Sequence, residues 1–152
     1  MLLALVRALF RVLHNLWYNK TNKRHACGNM RISYLNSEAL FMKIRRGDSK
    51  LIKFRRVDQD GNVLTSLPLA MYFTVKDKPN GRLLFQKTLE KGITFNNETF
   101  YYTVEILPSD TENLEFGRYG FDIEVVTEND LIHTICVSYL DVLIDYTEPG
   151  DR

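Results

Sequence analysis

Apolar and polar positions alternate with period 2 through most of this chain, in short runs. In Thr99–Leu107, Phe100, Tyr102, Val104 and Ile106 share one face, and Tyr101, Thr103 and Glu105 share the other, as side chains do along a strand. Arg118–Thr127 repeats the pattern, with Tyr119, Phe121, Ile123 and Val125 opposed to Asp122 and Glu124. That run follows a turn ending on Gly117. An aromatic near the start of a strand that leaves a wide loop is how the later strands of immunoglobulin-like sandwiches begin.

Shorter runs complete the set. Leu40–Arg45, Lys50–Val57, Leu69–Lys76, Leu83–Leu89, and the pair Leu131–Tyr139 and Leu140–Ile144 read as strands, with Ile93–Phe95 a brief continuation. Ile52, Phe54, Leu69, Met71, Phe73 and Val75 are expected inward, Lys53 and Arg55 outward. The alternation slips at Arg55-Arg56-Val57, which predicts a bulge. Turn signals separate the runs: Gly47-Asp48, Asp60-Gly61, Pro79-Asn80-Gly81, Asn96-Asn97 and Glu128-Asn129-Asp130. Pro108–Leu114 predicts one helical turn capped by Ser109 or Asp110, with Glu112 closing a capping box on Ser109. About seven strands with no substantial helix among them predict an all-β fold, an immunoglobulin-like antiparallel sandwich over residues 39–146. A parallel sheet is set aside, because each crossover needs a dozen or more residues.

Upstream the pattern changes. Residues 1–18 are apolar except at Arg7, Arg11, His14 and Asn15, which form one polar stripe on an amphipathic helix. The segment is too short and too charged to span a bilayer, and it lacks the layout of a signal peptide. It could lie in a membrane interface with Trp17 and Tyr18 at headgroup level, or dock in a groove of a partner or second copy. The preferred reading is an extension the domain does not need, with Met30 and Met42 as alternative beginnings. Residues 19–38 are Asn-rich and broken by Gly28, the composition of a basic polar linker, and 147–152 form a polar tail.

Composition sharpens this division. The net charge of +1 hides an asymmetry: residues 1–38 hold six Lys/Arg against Glu38 alone, and 39–152 hold fourteen against eighteen acids. Opposite charge suggests separate structural units. Eight Tyr and nine Phe favour strands. Cys27 and Cys136 read as thiols of a reducing compartment rather than as a staple.

Candidate chemistry is sparse. His25, Cys27, His133 and Cys136 have the composition of a zinc site, but His133 and Cys136 are an odd number apart on a strand, which places them on opposite faces. Asp58-Gln59-Asp60-Gly61-Asn62 resembles part of a calcium loop, yet its Gly and the residue at position 12 are wrong for one, so a hairpin turn is the better reading. No nucleophile elbow or phosphate-binding loop is present, and Asp122/Glu124 and Asp141/Asp145 read as solvated strand faces. The sequons at Asn19 and Asn97 carry little weight without a secretion signal. The chain is therefore expected to be no enzyme, with no cofactor and no metal.

The most lopsided feature is the cluster Lys43, Arg45, Arg46, Lys50, Lys53, Arg55 and Arg56. Only Phe54 is interleaved, so nucleic acid is not the favoured partner; edge protection or a partner-docking face is. Lys43, Arg45, Lys53, Arg55, Tyr72 and Tyr101 are the candidate docking residues. The two tyrosines would form the aromatic platform of the rival reading, a carbohydrate-binding module.

The order Arg46-Gly47-Asp48-Ser49, Asp58-Gln59-Asp60-Gly61-Asn62-Val63, Phe73-Thr74-Val75-Lys76, Leu107-Pro108-Ser109-Asp110-Thr111 and Leu114-x-x-Gly117-x-Tyr119-x-Phe121-Asp122-Ile123 resembles small β-sandwich domains of bacteriophage and prophage tails. The amino-terminal domain of the phage baseplate upper protein is the named relative. The resemblance spans residues 42–145 and implies a virion structural or adaptor role without catalytic residues. It implies contact with other tail or baseplate proteins or self-association, and a location in the virion or, during assembly, the bacterial cytoplasm. The longer chains of that family carry a receptor-binding or fibre module, which this sequence does not show.

Overall fold

The computed structural model describes residues 42–146 and the backbone of 31–34 and 41. The helix expected over 1–18, Cys27 and the tail 147–152 lie outside the described residues. Among the described residues nine strands are formed: β1 (Arg31–Tyr34), β2 (Phe41–Arg45), β3 (Lys50–Val57), β4 (Ala70–Lys76), β5 (Leu83–Thr88), β6 (Ile93–Asn96), β7 (Tyr101–Ile106), β8 (Gly117–Val126) and β9 (Ile132–Leu143). A single turn, α1 (Pro108–Thr111), separates β7 from β8. The strands make a four-stranded sheet, β1-β3-β7-β6, and a five-stranded sheet, β2-β9-β8-β4-β5. In immunoglobulin lettering these orders are A-B-E-D and A′-G-F-C-C′, so the architecture is an immunoglobulin-like sandwich.

One pairing departs from the antiparallel expectation. β2 runs parallel to β9, from Phe41↔Tyr139 to Arg45↔Leu143. The reason lies in the turn after it. Gly47 sits at φ +79°, Asp48 N–H donates to the Arg45 carbonyl at 3.1 Å, and Arg46 N–H donates to that of Leu143 at 3.1 Å. This turn carries the chain from one sheet to the other instead of closing a hairpin, so β2 lies at an edge beside a strand it did not fold back from.

Alternation identifies the core correctly where strands are long. Phe54, Met71, Phe73, Val75, Tyr102, Val104, Ile106, Ile123 and Val125 are all buried, each worth roughly 1.5–3 kcal/mol in removed apolar surface. Phe54 stacks on Tyr102 at 5.5 Å, and Phe73 meets Phe121 at 5.1 Å, distances at which aromatic pairs attract.

Local exceptions have local causes. Leu69, expected inward, is exposed because β4 begins at Ala70. Phe100, expected in a strand, has φ +57°. It belongs to a turn in which the Asn96 carboxamide oxygen accepts from Glu98 and Thr99 N–H at 3.0 and 2.8 Å. Part of the expected linker is a strand, since β1 pairs with β3 from Arg31↔Val57 to Tyr34↔Phe54. The two segments expected over 131–144 are one twelve-residue strand. The bulge predicted in β3 does not occur, because Arg56 simply points inward; a register shift lies instead in β9, where Ile123 faces Cys136 and Glu124 faces Thr134.

At the α1 end, the cap differs in detail from the one expected. Asp110 accepts the Leu107 N–H at 2.7 Å, so Leu107, not Ser109, begins the turn. Tyr119, at the start of β8, donates its hydroxyl to the Glu115 carbonyl at 2.7 Å. This is the tyrosine corner of immunoglobulin-like folds, and it gives physical content to the aromatic singled out in the sequence.

Candidate functional site

The seven-cation cluster does not form one surface. Lys43 and Arg45 lie on edge strand β2, on the outer face of the five-stranded sheet; Tyr72 lies on the same face, between Thr88 and Glu124. Lys53, Arg55 and Tyr101 lie on the outer face of the four-stranded sheet, on the other side of the molecule. There β1 flanks β3 over Phe54–Val57, so Arg55 does not guard an edge. Arg55 is engaged locally: its guanidinium lies 3.9 Å from the Tyr101 ring centroid, and its Nε donates to the Thr99 carbonyl at 2.9 Å. Tyr72 and Tyr101 lie on opposite outer faces and therefore cannot share one platform. Lys50 donates to the Lys43 carbonyl at 3.0 Å, and Arg46 lies over Phe116 at 4.4 Å.

Arg56 is only 3% exposed. Its Nε donates to the Tyr102 hydroxyl at 3.2 Å, and its terminal nitrogen donates to the Ser66 carbonyl. Burial raises the Tyr102 phenol above its usual range, with Arg56 working against that rise. A sequence reader takes a charged inward position for a slip in alternation; the structure shows a buried cation with hydrogen-bond acceptors built around it.

A second buried charge was not visible in the sequence. Lys87 Nζ lies 2.6 Å from Asp110, with side chains 8% and 14% exposed. The pair joins edge strand β5 to α1, across the two sheets. Gly92, at φ +90°, makes room for it, since a side chain there would sit 2.6 Å from Lys87 Cδ. Such contacts between distant segments leave no periodic signal.

The metal readings also resolve. Asp58 accepts from Asp60 N–H at 2.9 Å, Asn62 N–H at 2.8 Å and Asn62 Nδ2 at 2.9 Å. These bonds hold its carboxyl below the usual range and make the segment a self-satisfied turn. The parity used against His133 and Cys136 fails, however. The β9 register shift sets them opposite Val125 and Ile123, so both face the same side. Among the described residues no group of three or more His, Cys, Asp or Glu is gathered.

Two surface features remain. At the end of the sandwich away from α1, Leu69, Leu131 and Ile132 are 56–64% exposed, and Leu67 is 50% exposed on the same connection as Leu69. Backbone contacts join the segments that carry three of them: Leu69 N–H donates to the Val126 carbonyl, Val126 pairs with Ile132, and Thr127 N–H donates to the Leu131 carbonyl. The second feature is an opening of about 430 Å³ on the outer face of the five-stranded sheet, lined by Thr74, Lys76, Pro79, Gly120, Asp122 and Tyr139 among others. Asp122 is pushed above the usual carboxylate range, mainly by burial, against the pull of Lys76 and a hydrogen bond from Thr74.

No protein-family model matches the chain, and no curated protein does. Among solved structures it is similar to the Lin-41 filamin domain, with 18% identity over 79% of this chain and 97% of that one, at a TM-score of 0.47. It is also similar to CopC from Methylosinus trichosporium, with 16% identity over 74% and 93%, at 0.42. A third likeness is to E. coli alpha-2-macroglobulin, with 18% identity over 78% of this chain and 6% of that one, at 0.46. The strand orders of its two sheets place the chain in the immunoglobulin-like β-sandwich class. None of these three structures is a phage baseplate protein, and their likeness is one of fold.

Proposed function

We propose that this domain is a non-enzymatic adaptor that works by protein–protein contact, as a tail or baseplate component of a phage or prophage. The observation that carries the contact reading is the tip that bears Leu69, Leu131 and Ile132, three large apolar side chains each more than half exposed at one end of the sandwich. Large apolar surface left in water marks places where something docks. The virion setting is supported by the residue pattern over 42–145. In this reading the protein works in the virion and passes through the bacterial cytoplasm during assembly.

In this reading the tip, rather than the divided basic cluster, makes the principal contact. Edge strand β2, with Lys43 and Arg45 exposed on it, is protected from unwanted strand pairing by its charges. Light scattering of the full chain over a range of concentrations, alone and with the neighbouring virion proteins, tests the proposal. Association that Leu131→Asp and Ile132→Asp abolish, with melting temperature unchanged, is the expected result. A monomer under every condition, with no partner bound, overturns it.

A further inference from the structure

The opening on the five-stranded sheet exists because β8 carries a glycine where its outer face should carry a side chain. Gly120 lies between Arg118 and Asp122 on that face, and its lateral neighbours are Tyr139 on β9 and Lys76 on β4. Two ordinary reasons for a strand glycine fail here. Its φ is not in the left-handed region, and a methyl group at this position would meet no atom within 4 Å beyond its chain neighbours. Glycine inside a strand costs stability and often marks a place where a ligand approaches the backbone. Its consequence in this fold is a notch between an aromatic wall and a lysine.

The lining defines the ligand's chemistry. Tyr139 is 50% exposed, and its ring is held by the Arg118 guanidinium, 5.5 Å from the centroid. Arg118 is in turn fixed by both Asp141 oxygens, at 2.7 and 3.0 Å. Asp122 makes no ion pair within 4.0 Å among the described residues. Its acceptor capacity is oriented by Thr74, whose hydroxyl accepts from Gln86 Nε2 at 3.0 Å. Lys76 and Lys78 balance Asp77 and Asp122 around the rim, and Asp141 neutralises Arg118. The notch thus has a donor, an acceptor and an aromatic wall, but no net charge to select an ion. Its volume of about 430 Å³ falls in the range of about 300–1,000 Å³ typical of small-molecule sites.

We propose that this notch binds a neutral saccharide unit, its apolar ring face against Tyr139 and its hydroxyls shared between Asp122 and Lys76. The site is separate from the apolar tip and does not depend on the adaptor reading. It also differs from a platform built on Tyr72 or Tyr101.

The test uses the isotope-labelled full chain. Methyl glycosides of galactose, glucose and N-acetylglucosamine are titrated in while amide NMR shifts are followed, and a glycan array widens the panel. Saturable shifts at Gly120, Asp122 and Tyr139 with at least one neutral sugar are expected. Gly120→Val should remove them while leaving the melting temperature unchanged or raised, because the side chain enters open space and favours a strand. Tyr139→Ala, a change at an exposed side chain, should weaken binding about tenfold or more. The proposal is overturned if no sugar binds, if only charged glycans do, or if binding survives Gly120→Val. Loss on Tyr101→Ala with Gly120→Val unaffected overturns it as well.

Discussion

The two ends of this sandwich use their side chains in opposite ways. At the α1 end polar groups are spent on closure: Asp110 receives both Lys87 and the Leu107 N–H, Tyr119 ties down Glu115, and the fully buried Thr111 accepts the Gly47 N–H at 3.0 Å. At the other end, large apolar side chains stand in water with no fold-internal task. A substitution at the first end is therefore a stability experiment, and one at the second is an interaction experiment.

The largest effect should come from Lys87→Met. It leaves the Asp110 carboxylate buried without its cation, and removing one partner of a buried pair costs about 3–5 kcal/mol. Urea denaturation should show that loss, with Lys87→Met combined with Asp110→Asn recovering part of it. Thr111→Val comes next. It leaves the Gly47 N–H unsatisfied at a part-buried site, for a cost of about 1–3 kcal/mol. Tyr119→Phe removes one hydrogen bond at the corner, and a loss of about 1 kcal/mol is expected.

A smaller effect depends on pH. The Asp122 carboxyl titrates above its unfolded value of 3.8, so the folded state binds the extra proton between the two values. Stability is thus lowered as pH rises through that window, and the penalty is fully present above it. Asp122→Asn should raise the melting temperature at neutral pH, with the gain disappearing as pH falls below the ordinary aspartate range. Asp58 and Asp141, both lowered, act with the opposite sign: what they contribute is lost on acidification. The smallest stability effect belongs to the tip, where Ile132→Asp should change unfolding by no more than about 0.5 kcal/mol while abolishing association. A large loss of stability there would erase the contrast between the ends.

Much of this was readable beforehand. The inward faces of β4, β7 and β8 follow from alternation alone, because strand parity is set by the chain's own geometry. Tyr119 was legible for a similar reason, as its hydroxyl reaches only four residues back. Arg56 was misread because its acceptors, Tyr102 and Ser66, lie on other segments. That the candidate docking residues divide between two outer faces was not legible, because the proximity of Lys43 and Arg45 to Lys53 and Arg55 in sequence conceals a crossing between sheets at Gly47.

The chain by itself thus determined most of the residues that line the core and that two β-layers enclose it, since both rest on local periodicity and on the need to bury one face of each strand. Only the tertiary structure decided which outer face each charge occupies, which side of β9 His133 shares with Cys136, and that Gly120 opens a notch beside Tyr139. Those outcomes depend on which strands become neighbours and in what register, and pairing between distant segments is a property of the assembled sheet.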